Sequence, residues 1–166
     1  MPRTLPRSRA ARLAAAAALL ALAAATAFAA PAPPFSVRGV DGRQVKLADL
    51  RHRPVIVDFW ATWCGPCRAS MPHLNEMQEK YGGKGLVVIG MSVDESGPAP
   101  VRRFAHDLGV KFTIAMANDD VLDAYGPIRS IPTTFFINRH GDVVRRVVGY
   151  IDDDTLDGYV QEIVAN

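Results

Sequence analysis

Only two cysteines occur in the 166-residue chain, Cys64 and Cys67, and only Gly65 and Pro66 separate them. A thiol pair at this spacing closes a minimal ring, so it adds little of the unfolded-chain restriction that makes a long-range disulfide stabilising. The spacing suits a disulfide that opens and closes. An apolar run at 54–60 leads into an apparent helix starting at Cys64. At a helix start the backbone N–H groups lack intrahelical partners and the dipole favours negative charge. A thiol placed there is acidified, and the thiolate is the nucleophile of disulfide exchange. Cys64 therefore reads as the attacking thiol, kept accessible. Cys67, one turn further in and more shielded, reads as the thiol that resolves the mixed disulfide. Gly65 and Pro66 bring neither charge nor imidazole to the thiolate, which favours a reducing pair over a strongly oxidising one.

Two further positions carry chemical interest. Asp58 is a carboxylate inside the otherwise apolar run 54–60, six residues before Cys64. Such a group must be protonated, paired or solvated. It reads as a proton acceptor for Cys67 through water, against the alternative of a strand-end aspartate that reaches solvent or caps a neighbour. Pro132, between Ile131 and Thr133 just before a strand-like run, cannot donate to a sheet ladder and so needs a special place. With a cis peptide before it, the backbone of Ile131 faces the disulfide and pairs with an extended substrate; a trans proline at a strand start is the ordinary alternative. Trp63, Gly65, Pro66 and Ile131 are the candidate substrate-contacting positions.

The elements that must position these residues alternate in type. Residues 35–50 alternate weakly about Asp41-Gly42 and predict a small hairpin. The run 54–60 predicts a strand covered on both faces. Residues 64–81 predict a helix with Leu74, Met77 and Tyr81 on one face, kinked by Pro72 and stopped by Gly82-Gly83. A second buried strand is expected at 86–93, a helix at 100–108, a short strand at 112–116 and a short helix at 121–125. A hairpin at 133–148 turns at 139–142, and a last helix carries Leu156, Tyr159, Val160 and Ile163 on one face. This order predicts an α/β fold, a central sheet with helices on both sides.

The first 29 residues are of different material. Four arginines (Arg3, Arg7, Arg9 and Arg12) precede an alanine- and leucine-rich run, and Ala27-Phe28-Ala29 forms a small-x-small cleavage signal. This is the anatomy of a secretory signal peptide, with an uncleaved inner-membrane anchor as the alternative. No cysteine is available there for lipid attachment. The chain's formal net charge of +2 belongs to this leader: without it, 15 basic residues face 17 acidic ones, which argues against a nucleic-acid surface. Residues 30–34 read as a proline-rich linker and 35–166 as one domain. Export combined with a lone reactive thiol pair points to a periplasmic or secreted protein.

Residues 57–68, Val-Asp-Phe-Trp-Ala-Thr-Trp-Cys-Gly-Pro-Cys-Arg, resemble the active-site segment of the thioredoxin superfamily. The leader, the Ala-Thr-Trp before Cys64, the stretch 132–138 with its Gly141 turn, and the extra segment 96–125 are most similar to the exported TlpA/ResA-type branch. The resemblance implies a thioredoxin fold with a mixed sheet, an N-terminal hairpin extension and a central insertion. It implies Cys64 as nucleophile, Cys67 as resolving thiol and Pro132 as a cis-proline. It also implies protein disulfides as substrates, among them apocytochrome c and copper-assembly proteins, and a membrane thiol reductant upstream. No cofactor beyond the Cys64–Cys67 disulfide is expected. Ser70 stands where many of that branch carry an acidic residue. Asp58 instead matches cytosolic-type thioredoxin, and Gly90 falls where thioredoxin has a lysine near the buried acid.

Competing chemistries fit less well. Structural zinc wants four sulfur or nitrogen ligands, whereas His52, His73, His106 and His140 are scattered, so no metal is expected. Covalent haem needs a histidine after the second cysteine, and Arg68 stands there. A peroxiredoxin-like peroxidase places a threonine three residues before its cysteine; here Ala61 holds that place and Thr62 the next. A non-catalytic module docking partners on Trp63 and Pro132 would not need both thiols.

Overall fold

In the computed structural model the described residues are 30–165; the leader and its cleavage signal lie outside them. The elements in chain order are β1 (Ala30–Pro31), β2 (Ser36–Arg38), β3 (Gln44–Lys46), a 3₁₀ turn (Leu47–Leu50), β4 (Val55–Trp60), α1 (Gly65–Gly82) and β5 (Val87–Ser92). They continue with α2 (Pro98–Asp107), β6 (Thr113–Met116), α3 (Asp119–Ala124), β7 (Thr133–Ile137), β8 (Asp142–Val148) and α4 (Asp153–Ala165). Six strands form one sheet in the order β1-β8-β7-β4-β5-β6, and β2 and β3 pair as a separate hairpin.

β4 runs through the middle, parallel to β5 and antiparallel to β7, and all six of its residues are buried. That position explains the continuous apolar run around Asp58, since a central strand has no solvent face. Alternation sorts its side chains. Ile56 and Trp60 join the cluster formed with α1, α2 and α4. Val55, Val57 and Phe59 join the opposite cluster, with the hairpin and the α3 region. The same register sets Asp58 opposite Gly90 on one side and Thr134 on the other.

The structure departs from the sequence expectations in a few places. The proline-rich stretch is not wholly a linker: Ala30 and Pro31 pair with Val143 and Asp142 at the sheet edge, where a missing proline N–H is tolerated. The last four residues of the hairpin segment, Leu47–Leu50, curl into the 3₁₀ turn. α3 starts earlier than expected because the Asn118 side chain caps it, accepting the Val121 N–H at 3.0 Å. Among the described residues no helix is long and apolar enough to cross a membrane.

Candidate active site

The β4–α1 junction builds the site. Cys64 is the N-cap of α1 and Pro66 falls in its first turn, where proline's missing N–H costs nothing. Cys64 and Cys67 are joined by a disulfide of 2.05 Å. The Cys67 N–H, one of the helix's otherwise orphaned donors, donates to Cys64 Sγ at 3.2 Å. A donor in this position favours negative charge on that sulfur once the disulfide opens. Cys67 is fully buried and Cys64 is 5% exposed, so the expected asymmetry is present but Cys64 is less open than the sequence suggested.

The loop before Cys64 is held by a residue that sequence reasoning passed over. Asp94, itself buried, accepts the Thr62 N–H at 2.9 Å, the Thr62 hydroxyl at 2.5 Å and the Ser92 hydroxyl at 2.8 Å. These bonds fasten the Ala61–Trp63 turn to the end of β5, and the Cys64 N–H closes it on the Ala61 carbonyl at 3.1 Å. Thr62 thus faces Asp94, and Ala61 brings no hydroxyl to the cysteine. The only sequence signal for Asp94 was an acid directly after a buried strand. Trp63 stands clear of the loop, 71% exposed.

From the other side, the Ile131–Pro132 peptide is cis, and the Ile131 carbonyl oxygen lies 3.7 Å from Cys64 Sγ. The Pro132 carbonyl accepts the Gly149 N–H at 2.8 Å, and the Thr133 hydroxyl donates to the Ser130 carbonyl at 2.7 Å. Residues 67 positions apart in sequence thereby meet at one end of the sheet. Trp63, Cys64, Gly65, Pro66, Cys67, Ile131 and Pro132 are brought together there.

Asp58 lies deeper, on the strand face that packs under α1. It is 1% exposed. Thr134 Oγ1 donates to its Oδ1 at 2.7 Å, while Oδ2 has no partner. Burial pushes its pKa up to about 7, and the Thr134 bond pulls the other way. A narrow cleft of about 10 Å³, room for about one water, is lined by Asp58, Thr134, Ser70, Leu74 and Ile151. Gly90 offers no side chain toward the carboxylate. Thr134 was not anticipated as its partner, because cross-strand neighbours follow only from register. A buried carboxylate with a free oxygen, a pKa pushed up to about 7 and a water-sized cleft beside it can take up and release a proton near neutrality.

The chain matches the AhpC/TSA family over residues 28–146. It belongs to that family. The thiol-disulfide oxidoreductase ResA of Bacillus thuringiensis (strain Al Hakam) is 36% identical over 133 residues, 80% of this chain and 76% of that protein. ResA of Bacillus subtilis (strain 168) is 34% identical over 133 residues, 80% of this chain and 73% of that protein. Among solved structures, a putative thiol:disulfide interchange protein DsbE from Chlorobium tepidum superposes with a TM-score of 0.75 at 34% identity, covering 82% of this chain and 96% of that one. The fold is the thioredoxin fold, and the protein is a thiol–disulfide oxidoreductase. These relatives agree with the TlpA/ResA-type resemblance carried by residues 57–68 and 132–138.

Proposed function

We propose that the protein reduces protein disulfides outside the cytoplasm, with Cys64 attacking and Cys67 resolving. The Cys64 thiolate, stabilised by the Cys67 N–H and the α1 dipole, displaces one sulfur of a substrate disulfide. One S–S bond breaks, a mixed disulfide forms, and the departing substrate thiolate takes a proton from solvent. Cys67 then gives its proton to the Asp58 carboxylate, directly or through a water in the adjoining cleft. The resulting thiolate attacks Cys64 Sγ, the second substrate sulfur leaves, and the Cys64–Cys67 disulfide remains. Two electrons have passed to the substrate, and a membrane dithiol reductant restores the pair. The chemistry needs no cofactor and no metal. Ile131 and Pro132 present backbone to an extended substrate segment, and Trp63, Gly65 and Pro66 form the remaining contact surface.

The observation that carries this reading is the Cys67 N–H aimed at Cys64 Sγ at the start of a helix whose Ser70 and Leu74 share a cleft with a buried carboxylate that has one free oxygen. The arginine-headed leader at 1–29 supports export, as a cleaved signal or as an anchor, and so a periplasmic or secreted location. Apocytochrome c and copper-assembly proteins are the substrates that the TlpA/ResA-type resemblance suggests. The test is reduction of insulin disulfides with dithiothreitol as donor: the wild type is active and Cys64→Ser inactive. Cys67→Ser accumulates mixed disulfides with substrates in the native compartment. Activity retained by Cys64→Ser assigns the nucleophile elsewhere.

A further inference from the structure

At the pole of the sheet opposite the disulfide lies a cleft of about 490 Å³ whose rim carries Arg51, His52, Arg53, Arg139 and His140. Its floor is apolar, with Leu47, Leu50, Val55 and Ile137, and no aspartate or glutamate lines it. Two of the arginines are fixed by neutral carbonyls. Arg53 Nε donates to Gly85, and the Arg139 guanidinium spans Val164, His52 and Lys84 at 2.6–3.2 Å. Carbonyls orient a guanidinium but leave its charge uncompensated. The Arg51 side chain makes no hydrogen bond or ion pair among the described residues, and none of the five rim groups meets a carboxylate there. By contrast, Arg43 pairs with Asp41, and Arg145 with Glu162. Outside the leader the acids outnumber the bases, so this accumulation is local and not a reflection of overall charge.

The described chain enters at this same pole. Ala30 pairs with Val143, and the Ala32 N–H donates to the Gly141 carbonyl at 2.8 Å; Ala32 and Gly141 both line the cleft. The residues immediately upstream end the apolar, arginine-headed segment. We propose that this pole is a docking surface for the anionic phospholipid head groups of the membrane that the leader enters. Lipid phosphates supply the missing counter-charge to Arg51, Arg53 and Arg139, and the apolar floor faces the interfacial region. The six residues of β4 separate the cleft from the redox end, which sets the disulfide roughly 20 Å further from the lipid, turned toward soluble substrates. Membrane contact then belongs to the folded domain as well as to the leader.

The experiment uses residues 30–166, which hold the whole sheet and both apolar clusters, and sediments them with sucrose-loaded vesicles. Binding is expected to vesicles containing phosphatidylglycerol, to fall steeply at high salt, and to be weak on phosphatidylcholine alone. Arg51→Glu reverses one exposed charge and should weaken binding by roughly 25-fold, at about fivefold per charge unit. Insulin reduction by that variant should match the wild type, which shows that it is folded. Equal binding to both vesicle types, no binding to either, or binding that Arg51→Glu leaves unchanged overturns the proposal. Inorganic phosphate that displaces the protein from vesicles at concentrations where chloride of equal ionic strength does not also overturns it, because the cleft is then a small-anion site.

Discussion

The two faces of β4 are built on opposite terms. On one, Val55, Val57 and Phe59 meet Phe35, Tyr125 and Phe135, with ring centroids 4.9–6.2 Å apart in tilted and edge-on arrangements. On the other, Ile56 and Trp60 flank Asp58, and both Asp58 Oδ2 and Trp60 Nε1 lack partners. Each face buries a polar group without a partner, since the Tyr125 hydroxyl also has none. The difference is charge. A neutral phenol left unpaired costs a lost hydrogen bond, and burial keeps it neutral by raising its pKa. A buried carboxylate with one partnered and one free oxygen instead has its pKa pushed up to about 7, so it titrates near neutrality. One face therefore stabilises the sheet, and the other trades stability for a proton site under the redox helix.

The largest effect that would break this division is expected from Phe59→Ala. Phe59 is fully buried and touches two rings, so truncation should cost about 3–5 kcal/mol of stability. At a temperature where the variant is still folded, disulfide-exchange rates should stay near the wild type. Urea unfolding paired with insulin reduction checks both halves. A large activity loss in the folded variant would show that the two faces are coupled.

Asp58→Asn probes the other face and should act in the opposite sense on stability. The folded pKa of Asp58, about 7, lies above its unfolded value near 3.8. The folded state therefore holds a proton that the unfolded chain releases. Stability from this group is fully present below pH 4, declines as pH rises, and is lost above pH 7. A shift of this size corresponds to roughly 4 kcal/mol at most. Asparagine does not titrate, so the variant should gain on the wild type between pH 4 and 8 while the resolving step slows. Parallel unfolding curves at pH 5 and pH 8 would remove the buried-carboxylate account.

Gly90→Ala is expected to be milder. Its Cβ would lie 2.7 Å from Ile114 Cδ1, 3.0 Å from Trp60 Nε1 and 3.2 Å from Phe112. Ile114 can rotate, but two rings leave little room, so a loss of about 1–3 kcal/mol follows from overpacking. Thermal unfolding of the oxidised variant measures it. A neutral outcome would mean that the space beside Asp58 is softer than the other face.

The parts of this arrangement that were legible in the sequence are those set by local pattern. Cys64, Gly65, Pro66 and Cys67 are contiguous, the apolar run of β4 shows its double burial, and Asp58 stands out within it. The hydrophobic spacing of α1 places Leu74, Met77 and Tyr81 inward, as found. Contacts fixed by register or by loop closure were not legible. Thr134 reaches Asp58 across 76 residues, and Asp94 secures Thr62 across 32. No periodicity carries such information, because a one-residue slip would send either side chain to the other face. The pairing of Ala30–Pro31 with β8 was hidden for a related reason: proline signals a linker, and only an available sheet edge makes it a strand.

The smallest and most selective effect should come from Thr134→Val, which keeps a β-branched side chain and removes one hydroxyl. The Thr134 bond to Oδ1 is the one interaction that lowers the Asp58 pKa against burial. Its loss should raise that pKa further and move the pH midpoint of the resolving step upward, at a stability cost of about 1 kcal/mol. Thr133→Val is the matched control. Its hydroxyl donates to the Ser130 carbonyl, and it pairs with Phe59 on the stabilising side of the strand. It should lose comparable stability without moving the midpoint. Stopped-flow release of substrate thiol across pH 5–9 separates the two. If both valines shift the midpoint equally, the proton site does not belong to one face of β4; if only Thr134→Val does, the acid at 58 is tuned through a single cross-strand hydroxyl.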